Sequence, residues 1–161
     1  AMAAVMGTES VMQAAQSTFI SSTNWTDRVG PVAALATIKK YQENSVHEHL
    51  IDIGSRTKKI WLDMANKNEL TILITGLPTL AAFQFQSDFS LEMHTRFVIE
   101  MLGRGFLGFR QFKPSFAHTN EDLAAYSHAV DDVFNVISNI SHDDLLNQQT
   151  CHVGLTRLTK E

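Results

Sequence analysis

The chain reads as an α/β protein with an α+β end, and three observations carry that expectation. Short apolar runs alternate with helical segments through the first 44 residues. A long amphipathic stretch follows from Val46. Residues 80–86 then set Phe83 and Phe85 against Gln84 and Gln86, the two-residue period of a half-buried antiparallel strand. An order of strand, helix, strand, long helix, then a small sheet with two helices belongs to layered α/β architecture.

Each element has its own local reason. Residues 1–6 are small and continuously apolar, which predicts a buried strand. Residues 8–16 predict a short helix, with Thr8 as cap and Glu9 at its positive end. Residues 18–21 read as a second strand. Pro31 suits a first helical turn, where its missing N–H costs nothing, and Lys39 and Lys40 suit the negative end of a helix over 31–42. Ser45-Val46-His47-Glu48 has the capping-box form. Beyond it Val46, Leu50, Ile53, Ile60 and Met64 mark one face of a helix to about Asn66, weakened slightly by Gly54.

Residues 70–75 and 80–86 predict strands joined by Gly76-Leu77-Pro78. Ser90 is the expected cap of a helix bearing Leu91, Val98, Met101 and Leu102, stopped by Gly103 and Gly105. Residues 106–109 and 115–117 read as short strands. Thr119 with Asp122 opens a last helix carrying Leu123, Tyr126, Val130, Val133 and Ile137. From Ser141 the chain is polar and aperiodic, the pattern of a loose tail. No repeat or low-complexity segment occurs.

Composition narrows the function. At 161 residues, with 44% hydrophobic and 19% charged residues, the chain can bury a sizeable core. A net charge of -4 argues against a nucleic-acid partner, which requires a basic face. The single cysteine, Cys151, leaves no internal disulfide and fits a reducing cytoplasm. No basic region precedes the first apolar run and no run reaches membrane-span length, so neither a signal peptide nor a membrane partner is expected.

The segment richest in chemical information runs Thr18-Phe19-Ile20-Ser21-Ser22-Thr23-Asn24-Trp25-Thr26-Asp27-Arg28-Val29-Gly30-Pro31, followed by Val32-Ala33-Ala34-Leu35-Ala36. Hydroxyls and backbone N–H groups ahead of a helix can seat a phosphate. A plain Ser/Thr turn has the same composition. These residues resemble the segment after the cofactor lysine in class III aminotransferases, the pyridoxal-phosphate (PLP) group that includes glutamate-1-semialdehyde aminomutase. Members show a Gly-Thr or Ser-Thr pair, a short loop, then Asn-Pro or Gly-Pro opening an Ala-rich helix. Ser22-Thr23 and Gly30-Pro31-Val32-Ala33-Ala34-Leu35-Ala36 follow that pattern, across a longer loop than in the aminomutases. Downstream, Phe116-Ala117-His118-Thr119-Asn120-Glu121-Asp122-Leu123 is similar to the family's closing strand-to-helix signature. The resemblance reaches to about Ile140.

The resemblance implies the end of the large domain of a fold-type I PLP-dependent transferase over residues 1–44. It implies the C-terminal small α+β domain over 45–140, with a polar tail over 141–161. It makes Thr23, with Ser22, the contact to the cofactor phosphate of the other subunit in a homodimer. The small domain would close over a small amino- or keto-compound substrate. The family's Schiff-base lysine would lie just upstream of residue 1, so this portion carries no catalytic residue and should not transaminate alone. A non-catalytic interaction or regulatory module built on the same fold is the competing expectation.

Other candidates weigh toward ordinary roles. Asn24, Trp25, Thr26, Asp27 and Arg28 would line a neighbouring subunit's entrance. Arg28 suits a carboxylate, but a salt bridge with Asp27 or a surface contact is the plainer reading, and Trp25 serves equally as an interface anchor. Arg110 and Lys113 do not align with the family motif and read as surface charges. His118 sits where strand meets helix and should fix that junction by hydrogen bonding. No metal site is expected. His47 and His49 are two apart and so point to different helix faces, His118 and His128 have no Cys or carboxylate at ligand spacing, and Cys151-His152 is an isolated pair in the polar tail. Asp131-Asp132 and Asp143-Asp144 read as solvated charge, and Lys39, Lys40, Lys58 and Lys59 as exposed-face lysines.

Overall fold

The computed structural model describes residues 3–19, 23 and 26–153. Contacts divide the chain into two units, one ending at Val46 and the next beginning at His47. Residues 20–21, at the end of the second expected strand, lie outside the described residues, as do Ser22, Asn24 and Trp25.

The first unit is helical. Helix α1 is Glu9–Ala15 and helix α2 is Val29–Glu43. Residues 3–6 take no regular structure, with Val5 and Met6 exposed, and Thr18 and Phe19 are not in a strand either. An apolar run becomes a strand only when a second strand takes its backbone groups, and this unit offers none among its described residues. Neither helix buries a residue. Val29, Val32, Leu35 and Ile38 all stand exposed on α2.

The second unit contains the core. Helix α3, Val46–Lys67, is preceded by Ser45 at φ 45°, a left-handed conformation. A capping serine sits in the extended region, so the expected cap at Ser45 is replaced by a tight turn out of α2. Of the face expected on α3, Val46 and Ile53 are buried and Ile60 and Met64 pack against the core, while the buried stripe continues from Ile53 through Thr57, Trp61 and Ala65. Thr57 is accommodated because its hydroxyl donates to the Ile53 carbonyl at 2.9 Å. The helix closes with Leu70 N–H on the Ala65 carbonyl and Glu69 N–H on that of Asn66, with Glu69 at φ 56°.

Three strands form one antiparallel sheet in the order β1-β2-β3: β1 Ile72–Thr75, β2 Ala81–Phe85 and β3 Gln111–Phe112. Ile74 faces Phe83 across the first pair, and Ala81 faces Phe112 across the second. Between β1 and β2, Gly76 at φ 78° and a 3-10 turn at Pro78–Leu80 reverse the chain. Helix α4, Ser90–Gly103, starts one residue earlier than a Ser90 cap would require, with Phe89 at the cap position. It buries His94, Thr95, Phe97 and Met101 while Leu102 is exposed, so its core face is rotated from the expected one. It ends in the same closing pattern as α3, here with Gly105 at φ 85°.

Residues 106–109 are not a strand. A Cβ on Gly108 would lie 2.8 Å from Met101 Cβ, so this backbone is laid against α4 and cannot join the sheet. Residues 115–117 instead turn, His118 N–H meeting the Ser115 carbonyl at 3.2 Å. Helix α5, Asn120–Asn139, has the expected capping box of Thr119 and Asp122 and buries Leu123, Val130, Val133 and Ile137. The expected loose tail holds helix α6, His142–Leu146, capped by Ser141 with Leu145 buried. Gln148 and Cys151 N–H then bond back to Glu92 O and Thr95 Oγ1. One buried leucine over so short a stretch leaves no readable period.

Gly54 explains why a glycine interrupts α3. A Cβ there would lie 1.8 Å from the Pro78 carbonyl oxygen. Gly54→Ala is therefore expected to push α3 and the turn apart and cost about 2–3 kcal/mol, the upper part of the overpacking range. Urea denaturation checks this; a loss under about 0.5 kcal/mol would show that the turn moves aside freely.

Candidate functional site

Of the pair singled out for phosphate, Thr23 precedes α2 in the first unit. Thr23 is exposed and lies in a turn, as does Thr26. Its companion Ser22 lies outside the described residues. The helix end itself is less open to an anion than Gly30-Pro31 suggests. Asp27 Oδ1 accepts the Val29 N–H at 3.0 Å, so a carboxylate already occupies the positive end. Pro31 supplies no N–H, and that of Val32 goes to the Arg28 carbonyl. Asp27 is committed to this backbone contact in place of the expected pairing with Arg28.

In the second unit the entry to α5 is tightly built. Asp122 Oδ2 accepts both the Thr119 N–H at 2.8 Å and its hydroxyl at 3.0 Å. Those two bonds hold the Asp122 carboxyl below the usual carboxylate range. His118 Nδ1 accepts the Ser115 N–H at 2.8 Å, which fixes the junction as its sequence position suggested. Since a backbone N–H only donates, the neutral imidazole carries its proton on Nε2.

Two clefts flank this junction. One, about 330 Å³, lies between residues 105–109 and the start of α5, walled by Phe106, Phe112 and Tyr126. The other, about 520 Å³ and more open, has His49, Asp52 and Arg56 of α3 opposite Phe116 and Asn120. There Arg56 Nη1 donates to Asn120 Oδ1 at 2.7 Å and to Asp52 at 3.3 Å, tying α3 to α5.

Sequence reasoning missed His94. It is buried on α4 against Phe97 and Phe109, and its Nε2 has no hydrogen-bond partner. Nothing in the spacing of α4 distinguishes a buried histidine from an exposed one. Asp131 was expected to be solvated, but it accepts Lys67 Nζ at 2.6 Å and Asn68 Nδ2 at 3.1 Å. These bonds, Lys67 first, hold its carboxyl below the ordinary range despite partial desolvation. Lys58 is likewise committed, donating to the Gly76 carbonyl at 2.7 Å. Among the described residues no three His, Cys, Asp or Glu side chains are grouped to hold a metal ion, and no helix is long and apolar enough to cross a membrane.

No protein-family model and no curated protein sequence matches the chain. Among solved structures it is similar to that of the PLP internal aldimine form of the Sphingopyxis sp. MTA144 FumI protein, with a TM-score of 0.77. The fold is shared with FumI. The match covers 89% of this chain at 22% sequence identity, a level at which the likeness concerns the fold. It covers 34% of FumI, so the present chain spans about a third of FumI's length.

Proposed function

We propose that the chain is the C-terminal portion of a longer PLP-dependent enzyme of the class III aminotransferase or aminomutase type, acting as a cytoplasmic homodimer. The observation that supports this reading most is the fold shared with FumI, which holds PLP, over 89% of the chain. The Ser22-Thr23 and Gly30-Pro31 pattern supports it independently.

In this reading the Thr23 hydroxyl, with that of Ser22, donates to the phosphate of cofactor held by the other subunit. Thr23 fits the task because it is exposed on a turn and can reach a ligand from a second chain. The exposed apolar residues of α2 form part of the dimer surface, since a helix apolar around its circumference is normally covered. When bound, PLP serves as an electron sink at the substrate carbon. Residues 45–140 close over a small amino- or keto-compound and exclude water from it.

Two measurements on the native protein test the proposal. Its intact polypeptide mass should be well above 18.0 kDa; a native chain of that mass would favour an interaction or regulatory module instead. Thr23→Ala should weaken PLP affinity about tenfold to a hundredfold, the worth of one hydrogen bond to a charged group, whereas Thr26→Ala should do much less. Cofactor titration by absorbance reads both, and equal affinity for wild type and Thr23→Ala would overturn the phosphate role.

A further inference from the structure

The cleft of about 330 Å³ beside α5 has a chemical character that the cofactor reading does not use. Its wall is a continuous row of rings. Phe106 and Tyr126 are 5.7 Å apart, Tyr126 and Phe112 6.1 Å, and Phe112 and His118 5.3 Å, centre to centre. The Tyr126 hydroxyl accepts the Trp61 Nε1–H at 2.9 Å, and it is the Tyr126 ring that stands in the row. Burial pushes its phenol up to about 12, the Trp61 bond acting in the opposite direction. Over the wall runs a glycine-containing loop, in which Leu107 is 93% exposed.

Charge selects among ligands for such a wall. Asp122 is the acidic residue lining this cleft and no lysine or arginine lines it, while His118, the other titratable side chain there, accepts the Ser115 N–H on Nδ1. Both Thr119 bonds fall on Asp122 Oδ2, leaving Oδ1 outside the capping box. The faces of aromatic rings are themselves negative and attract cations. A carboxylate beside an aromatic wall therefore favours a positive ligand over a neutral one and disfavours an anion. The volume lies at the small end of ligand sites, roughly 300–1,000 Å³.

We propose that this cleft binds a small organic ammonium ion with an apolar body, the rings taking the body and the Asp122 carboxylate the charged head. The proposal stands on the cleft alone and is independent of PLP.

Three near-isosteric probes test it by amide-resolved NMR titration of the whole chain: 2-phenylethylammonium, 2-phenylethanol and 3-phenylpropionate. The ammonium should bind tightest and the carboxylate weakest, with shifts centred on Gly105, Gly108 and Tyr126. Asp122→Asn keeps an oxygen for the Thr119 N–H but removes the charge. It should lower ammonium affinity about two- to fivefold, the scale of an exposed ion pair, and leave the alcohol unchanged. Carboxylate binding as tight as the ammonium overturns the proposal. So does an intact ammonium preference in Asp122→Asn, or the absence of shifts at Gly105 and Gly108. Should Asp122→Asn fail to fold, the ranking of the three probes on the wild-type chain decides the matter.

Discussion

Phe97→Ala is expected to remove about 3–5 kcal/mol of stability, the range for deleting a buried aromatic side chain. Phe97 is 0% exposed. Its ring lies 5.1 Å from that of Phe83 on β2 and 6.0 Å from that of Phe134 on α5, so it joins helix α4 to the sheet and to the last long helix. Phe83 in turn meets Trp61 of α3 at 4.9 Å and Phe85 at 5.4 Å. Rings held on four elements cannot collapse together into the space left by one of them, and the cavity term stays large. Gly108 makes the site tighter still, since a Cβ there would be 3.1 Å from Phe97 Cε1. Urea denaturation at neutral pH measures the effect as a lower midpoint with unchanged slope. Leu102→Ala, at a position on α4 that is 58% exposed, should stay within about 0.5 kcal/mol. Similar losses for the two variants would contradict the observed orientation of α4.

That pair of variants also separates what the sequence disclosed from what it hid. Helices were legible where a local signal fixed them: Pro31 for α2, the Thr119–Asp122 box for α5, the closing Gly105 for α4. Strand β2 was legible because its alternation survives in Phe83 and Phe85 buried about an exposed Gln84. The faces of α3 and α4 were read only in part: Val46, Ile53 and Met101 are buried as expected, but Thr57, His94 and Thr95 are polar by name yet buried. Thr57 and Thr95 satisfy their hydroxyls on carbonyls one turn back, a compensation that no hydropathy pattern records. The short strands expected over 1–6, of which 3–6 are described, and over 106–109 failed for another reason. A strand depends on a partner for its backbone groups, and a run of apolar residues carries no information about that partner. At the candidate site, the Ser22-Thr23 pair stood out only through family resemblance. The aromatic wall of the cleft was invisible, since Phe106, Phe112, His118 and Tyr126 meet only after α5 folds back on the sheet.

Acidification should destabilise the protein through His94 before most of its carboxylates respond. The imidazole is 4% exposed, lies 6.2 Å from the Phe97 ring and 5.9 Å from that of Phe109, and its Nε2 has no hydrogen-bond partner. Burial first, and the charge of Arg110 second, lower its pKa from 6.5 to about 4. The unfolded chain therefore binds this proton through a range in which the folded chain does not. Stability from the neutral imidazole is complete above about pH 6.5 and falls as pH drops toward about 4. Over pH 7 to 4 the loss amounts to about 3 kcal/mol at 1.36 kcal/mol per pKa unit. Glu100, whose carboxyl is held low first by its Arg104 hydrogen bond and further by Arg96, acts later. Its contribution is present above the unfolded carboxylate range and is lost as pH falls through its lowered folded value, and Asp131 behaves alike. His94→Gln leaves those carboxylates in place while removing the titrating ring. Urea midpoints at intervals from pH 7 to pH 4 should therefore converge, wild type losing about 3 kcal/mol more than the variant. Parallel pH profiles for the two proteins would mean that His94 accepts its proton in the folded core as readily as in the open chain.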